Sequence, residues 1–217
     1  MFSAPLTAKL EKAGIVAVVT VASPDAGVAV ARALLAGGIS AIELTFRTPA
    51  AAAAIQRIRA EVPEVLIVAG TVLNAGDVER ALRAGAAYGV APGCNPRTIR
   101  AAAEQGLPFA PGVMTPTDIE LAVEARCNVL KFFPAQSAGG LKQLQAISAP
   151  FAHLGLRFIP LGGIGGDTLA DYLRSPQVLC IGGSWFAPPE LIERQAWTTI
   201  TSRAREASTR LAVCRAG

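Results

Sequence analysis

Short runs rich in Val, Ile, Leu and Ala recur along this chain, each followed by Gly, Pro, Asn or Thr and then by an Ala-rich amphipathic segment. Residues 15–21, 41–46, 65–72, 87–92, 108–113, 129–134, 157–162 and 178–183 form eight candidate strands. Helix starts follow at Pro24-Asp25, Thr48-Pro49, Asn74, Asn95-Pro96 and Thr115-Pro116-Thr117, where a capping side chain or an early proline suits the first turn. Glycines at Gly37-Gly38, Gly85 and Gly106 read as stops. A strand followed by a helix, eight times over, gives parallel strands, and strands covered on both faces explain the continuous apolar runs. The pattern predicts an α/β chain folded as a (β/α)8 TIM barrel, one domain over residues 1–217, with a short extra helix before Gly14. The competing architecture is an open doubly wound sheet, but no dinucleotide fingerprint follows the first strand.

Composition narrows the setting. With 217 residues, 52% hydrophobic and 17% charged, the chain can bury a substantial core and fold. The start, Met1 to Gly14, lacks the basic and apolar regions of a signal peptide, and no apolar run approaches the roughly 18 residues of a membrane span. The expectation is a cytoplasmic protein with no membrane partner. Cys94, Cys127, Cys180 and Cys214 have no paired spacing and read as free thiols. A net charge of +4, scattered over helices without interleaved aromatics, gives no support for nucleic-acid binding.

Chemistry-bearing residues stand where polar side chains interrupt the apolar runs. Lys131 lies inside Val129-Leu130-Lys131-Phe132-Phe133, and burying an ammonium is costly unless it is paired or gives up its proton. A neutral amine attacks carbonyl groups; the alternative is a lysine whose stem packs while its head reaches water. Phe133 shares a strand face with Lys131 and would dry its surroundings. On the second strand Glu43, Thr45 and Arg47 point one way: a carboxylate to move protons, a hydroxyl, and a guanidinium to hold a substrate carboxylate and discourage charge on Lys131. The alternative there is an exposed strand end with a surface ion pair. Thr71 closes the third strand as a hydrogen-bond donor or as a structural threonine. Gly162-Gly163 and Gly183-Ser184 end the seventh and eighth strands, where bare backbone followed by a helix suits a phosphate; ordinary tight turns are the rival reading. The only histidine, His153, precedes the seventh strand and reads as a surface residue, so a histidine-based metal site or a nucleophile triad lacks its parts. No metal and no cofactor are expected, and amine chemistry at Lys131 remains.

These residues resemble the 2-keto-3-deoxy-6-phosphogluconate (KDPG) and 4-hydroxy-2-oxoglutarate (KHG) aldolase family. The matching pieces are Glu43-Leu-Thr-Phe-Arg47-Thr48, Val68-Ala-Gly-Thr71-Val72-Leu73, Ala91-Pro-Gly93, Pro111-Gly-Val-Met-Thr-Pro-Thr117, Leu130-Lys131-Phe-Phe-Pro-Ala135, Gly139-Gly140, Leu161-Gly-Gly-Ile164 and Cys180-Ile-Gly-Gly-Ser-Trp185, in family order over nearly the whole chain. The resemblance implies a class I aldolase that splits 2-dehydro-3-deoxy-6-phosphogluconate into pyruvate and glyceraldehyde 3-phosphate through a lysine Schiff base. It makes Lys131 the Schiff-base lysine, Glu43 the acid/base, and Arg47 with Thr71 the carboxylate clamp. Pro92 and Phe133 line the pyruvate pocket, and Gly162, Gly163, Gly183 and Ser184 hold the phosphate. It also implies a homotrimer. Leu161 stands where many members carry threonine, which opens preference for the galactonate epimer; Gln136 replaces a frequent glutamate. KHG is a further candidate substrate. Outside the aldolases, a sugar-phosphate isomerase or epimerase and a non-catalytic phosphometabolite-binding barrel are the alternatives.

Overall fold

The computed structural model describes residues 1–166 and 168–216; Asp167 and Gly217 lie outside them. Local chemistry sets most element boundaries. Helix α1 (Ala4–Ala13) stops at Gly14, whose left-handed backbone returns its N–H to the Leu10 carbonyl, and strand β1 (Ile15–Val19) begins at once. Ser23 caps α2 (Pro24–Ala36) by accepting from Ala26 N, ahead of β2 (Ala41–Thr45), α3 (Ala51–Glu61) and β3 (Leu66–Gly70). Asn74 caps α4 (Ala75–Ala84), and after β4 (Gly89–Val90) Asn95 caps α5 (Pro96–Gln105). Beyond β5 (Phe109–Ala110) and β6 (Gly112–Val113), Thr115 and Asp118 form a reciprocal capping box on α6 (Pro116–Glu124). The rest runs β7 (Val129–Phe132), α7 (Gly140–Ser148), a 3-10 turn (Ala149–Leu154), β8 (Arg157–Pro160), α8 (Leu169–Arg174), β9 (Ile181–Gly183), α9 (Pro189–Glu193) and α10 (Trp197–Ala216).

Two boundaries differ from the pattern reading. Helix α3 starts at Ala51 without a side-chain cap, because the Thr48 hydroxyl donates instead to the Val21 carbonyl at 2.7 Å. The fifth candidate strand is broken into β5 and β6 at Pro111, which has no N–H to give a ladder.

The paired strands are all parallel among the described residues. One sheet runs β5-β4-β3-β2-β1-β9, and a second runs β6-β7-β8. The order steps from each strand to its sequence neighbour and joins the last strand to the first, so it has no reversal of the kind a doubly wound sheet needs. What the sequence presents as one eight-stranded barrel is thus, by continuous pairing, a curled six-stranded parallel sheet beside a three-stranded one. Between them stand isolated parallel bridges, Phe158 to Val178 and Leu161 to Gly182.

Alternation along the strands divides the apolar side chains into two clusters. Ile15, Ala17 and Val19 of β1, Ile42 and Leu44 of β2, and Leu130 and Phe132 of β7 pack with the helices. Val16, Ala41, Val68, Val129 and Ile159 take the opposite face, where Phe2 and Leu10 from the amino-terminal segment join them. Phe2 is pinned there by an edge-on contact with Tyr88 and by a two-way amide pair with Asn128. Among the described residues, no helix is long and apolar enough to cross a membrane.

Candidate active site

Glu43 and Lys131 belong to the second of these faces. Glu43 follows Ala41 by two positions on β2, and Lys131 follows Val129 by two on β7, so each side chain enters the space that the second cluster lines. Both are buried, Glu43 at 3% and Lys131 at 5% relative exposure. Lys131 Nζ donates to Glu43 Oε1 at 3.1 Å across 88 residues of chain. A buried charge of either sign needs such a partner, and removing one member strands the other. The solvent-reaching lysine and the surface ion pair are both excluded by this burial. Phe133 places its ring centroid 5.3 Å from Nζ, shielding the amine from one side.

The room for this pair comes from Gly70, which sequence reasoning passed over. A Cβ built on Gly70 would collide with Glu43 Oε1 and lie 2.6 Å from its Cγ. The glycine is therefore a steric vacancy for a carboxylate on the neighbouring strand. No signal within residues 66–70 reveals it, since the group that needs the space is on β2.

Arg47 lies past the end of β2, exposed at the rim, and its Nε donates to Thr71 Oγ1 at 3.2 Å. Thr71 holds a positive φ of 57°, a conformation that costs a β-branched residue about 1–3 kcal/mol and is concentrated at functional sites. The charged group that meets Lys131 at hydrogen-bond distance is the Glu43 carboxylate; the Arg47 guanidinium is engaged with Thr71. Thr45, fully buried, shares a 2.7 Å hydroxyl contact with Thr20 just beyond β1, a partner that its position 25 residues away concealed.

Pro92 is exposed after β4, with its carbonyl so close to Gly112 that a side chain there would strike it. Gly162 and Gly163 follow β8 with φ values of 100° and 75°, and Gly162 packs against the Phe133 ring. The Leu161–Gly182 bridge sets the ends of β8 and β9 side by side, so the Gly162-Gly163 turn neighbours Gly183-Ser184. Neither pair runs straight into a helix: α8 starts at Leu169 and α9 at Pro189, both too short and too far along to aim a helix end at an anion. Any anion binding there falls to loop backbone and the Ser184 hydroxyl. Leu161 is 4% exposed and seats its isobutyl group over Gly182, whose Cβ would fall 2.5 Å or less from two of its carbons.

The four cysteines are free, and burial pushes the thiols of Cys94 and Cys127 up to about 11 and that of Cys180 to about 12, so none of these three is a ready thiolate. Among the described residues, no group of three or more His, Cys, Asp or Glu is placed to hold a metal ion.

The family model for KDPG and KHG aldolase matches residues 6–203. A KHG/KDPG aldolase of Escherichia coli (strain K12) is 42% identical over 193 residues, covering 89% of this chain and 90% of the relative. Among solved structures, the KDPG aldolase of Legionella pneumophila, with pyruvate captured as a covalent carbinolamine intermediate, superposes with a TM-score of 0.86 at 34% identity, covering 93% of this chain and 97% of that one. The 2-keto-3-deoxy-6-phosphogluconate aldolase of Zymomonas mobilis ZM4 with 3-phosphoglycerate follows at a TM-score of 0.84 and 34% identity, covering 93% and 94%.

Proposed function

We propose that this chain, which belongs to the KDPG and KHG aldolase family, is a class I aldolase that cleaves 2-dehydro-3-deoxy-6-phosphogluconate to pyruvate and glyceraldehyde 3-phosphate. The observation that carries this reading is the buried Lys131 amine, 3.1 Å from a buried carboxylate.

In this reading Lys131 Nζ hands a proton to Glu43, attacks the C2 ketone and forms a carbinolamine; Glu43 returns the proton to the carbinolamine hydroxyl, which leaves as water, so the iminium forms and Glu43 is again a carboxylate. Glu43 then takes the proton from the C4 hydroxyl, directly or through one water, as the C3–C4 bond breaks. The bonding electrons pass into the iminium, so the aldehyde leaves and the three-carbon fragment remains as an enamine. Protonation at C3 and hydrolysis release pyruvate and restore the amine. Arg47, oriented by Thr71, holds the C1 carboxylate at the rim. Pro92 and Phe133 flank the three-carbon fragment, while Gly162, Gly163, Gly183 and Ser184 receive the phosphate. The substrate side of the site is thus a small phosphorylated keto acid with no cofactor.

The same reading closes the two sheets into one (β/α)8 barrel forming a single domain. The two bridges from the β8 region to the β9 region, and an inner cluster fed by strands of both sheets, support it. A homotrimer is the family-based expectation, to be read from the molar mass in solution.

The test is reductive trapping. Pyruvate with borohydride should add one reduced three-carbon unit per chain, mapped by peptide mass to Lys131, alongside cleavage of the phosphorylated substrate. Absence of the adduct at Lys131 in a protein that still turns over would sink the mechanism. An isomerase or epimerase, or a barrel that only binds, predicts no cleavage-linked adduct.

Leu161 favours a second reading of specificity. An isobutyl group at this buried position offers no hydrogen bond to a hydroxyl on the substrate's middle carbons, so discrimination between the gluconate and galactonate epimers should be weak. Leu161→Thr is expected to shift the ratio of kcat/KM values by about tenfold toward the gluconate epimer. A ratio unmoved by the substitution would remove Leu161 from the specificity determinants.

A further inference from the structure

Outside the proposed catalytic centre, a cavity of about 320 Å3 lies against the two glycine loops, lined by Gly166, Leu169, Trp185, Arg203, Glu206 and Arg210. Two of its residues make specific bonds to loop backbone. Arg203 Nη1 donates to the Trp185 carbonyl at 2.9 Å, and Arg210 Nη1 donates to the Gly166 carbonyl at 3.1 Å. Glu206 accepts from Arg210 Nη2 at 2.9 Å and steadies that side chain. Seven residues apart, the two arginines fall on one face of α10, nearly two turns from each other.

The carbonyls they hold are well chosen. Trp185 directly follows Ser184, and its ring covers Gly183 so closely that a Cβ built there would fall 1.6 Å from a ring carbon. Gly166 stands three residues beyond Gly163. The helices that follow these loops, α8 and α9, have no side-chain cap bonds at their amino ends; the loop after β8 is held at Gly162, whose carbonyl accepts from Gln136 N at 2.9 Å, and at Gly165 by Thr168, and the arginines add anchors beyond these.

We propose that Arg203 and Arg210 are positioning residues for the phosphate end of the site, each tying one glycine loop to α10 so that a single helix sets the spacing of both. The proposal rests on the reading that these loops receive the phosphate. A cradle of backbone amides binds an anion well only when its donors are held in place beforehand; loops free to drift must be ordered at each binding event. Two guanidiniums behind the loops add a longer-range pull on a doubly charged phosphate, weakened by salt.

The experiment compares wild type with Arg203→Met/Arg210→Met on three readouts: cleavage of 2-dehydro-3-deoxy-6-phosphogluconate, cleavage of unphosphorylated 4-hydroxy-2-oxoglutarate, and exchange of pyruvate methyl protons with deuterated solvent. For the phosphorylated substrate, KM should rise about tenfold with kcat changed less than about twofold, while the other two readouts stay near wild type. The Arg203→Lys/Arg210→Lys pair, which keeps charge and one donor group at each point, should recover most of the loss. An unchanged KM, or equal weakening on phosphorylated and unphosphorylated substrates, overturns the proposal. A wild type with no preference for the phosphorylated substrate would instead sink the phosphate reading and this proposal with it. Should the methionine pair fail to fold, the single substitutions carry the same comparison.

Discussion

Lys131→Met should lose cleavage by about four orders of magnitude or more, because no other group in the site can form the imine on which every later step depends. In the proposed reading, substrate binding through Arg47, Thr71 and the glycine loops is untouched by this change, so the loss should appear in kcat rather than KM. The substitution also leaves the Glu43 carboxylate buried without its cation, at a stability cost of about 3–5 kcal/mol. That cost and the chemical loss are separable. The double variant Lys131→Met/Glu43→Gln removes the stranded charge, and its thermal midpoint should climb back toward wild type while activity stays absent. Steady-state cleavage, borohydride trapping and thermal melts on the two variants make the check. If Lys131→Met retains cleavage within about a hundredfold of wild type, the amine is not the nucleophile and the proposed mechanism fails.

What the sequence disclosed, and what it hid, follows from where each determinant sits. Lys131 and Glu43 were visible because a charge inside an apolar run is costly, and the cost itself flags the position. Strand alternation then placed each with its own neighbours, Val129 and Ala41, on the face opposite the helices. That they meet each other at 3.1 Å is a long-range fact, 88 residues apart, which no local pattern encodes. The same limit explains Gly70, whose missing side chain serves Glu43 on another strand, and the Thr20–Thr45 contact. Thr48 looked like a helix cap because its type and its proline neighbour suit one, but its hydroxyl is taken by the Val21 carbonyl. Pro111 did carry its warning in the sequence, since a proline within a strand run marks a break. On α10, Arg203 and Arg210 look like two charges on an ordinary solvated face. Only the loop carbonyls opposite them distinguish them from their neighbours.

Glu43→Gln should lower kcat by about 10²–10³ while leaving Lys131 competent to form its adduct. The amide keeps the size of the carboxylate and can still accept a hydrogen bond from Nζ, but it can neither receive the amine's proton nor return one at C3. Trapping with pyruvate and borohydride should therefore be slower and still reach one equivalent, a pattern that a collapsed site would not give. Gly70→Ala tests the same role by displacement. The added methyl group would lie 2.3 Å from Glu43 Oε1, so the carboxylate must swing away from the amine with its chemistry unaltered. Its kcat should fall toward that of Glu43→Gln, and adding Gly70→Ala to Glu43→Gln should cost much less than it costs wild type, because both act on one proton path. If Glu43→Gln stays within about fivefold of wild type, proton transfer belongs to another group or to water. If the two losses instead multiply, Gly70 acts on the site by some route other than the carboxylate it makes room for.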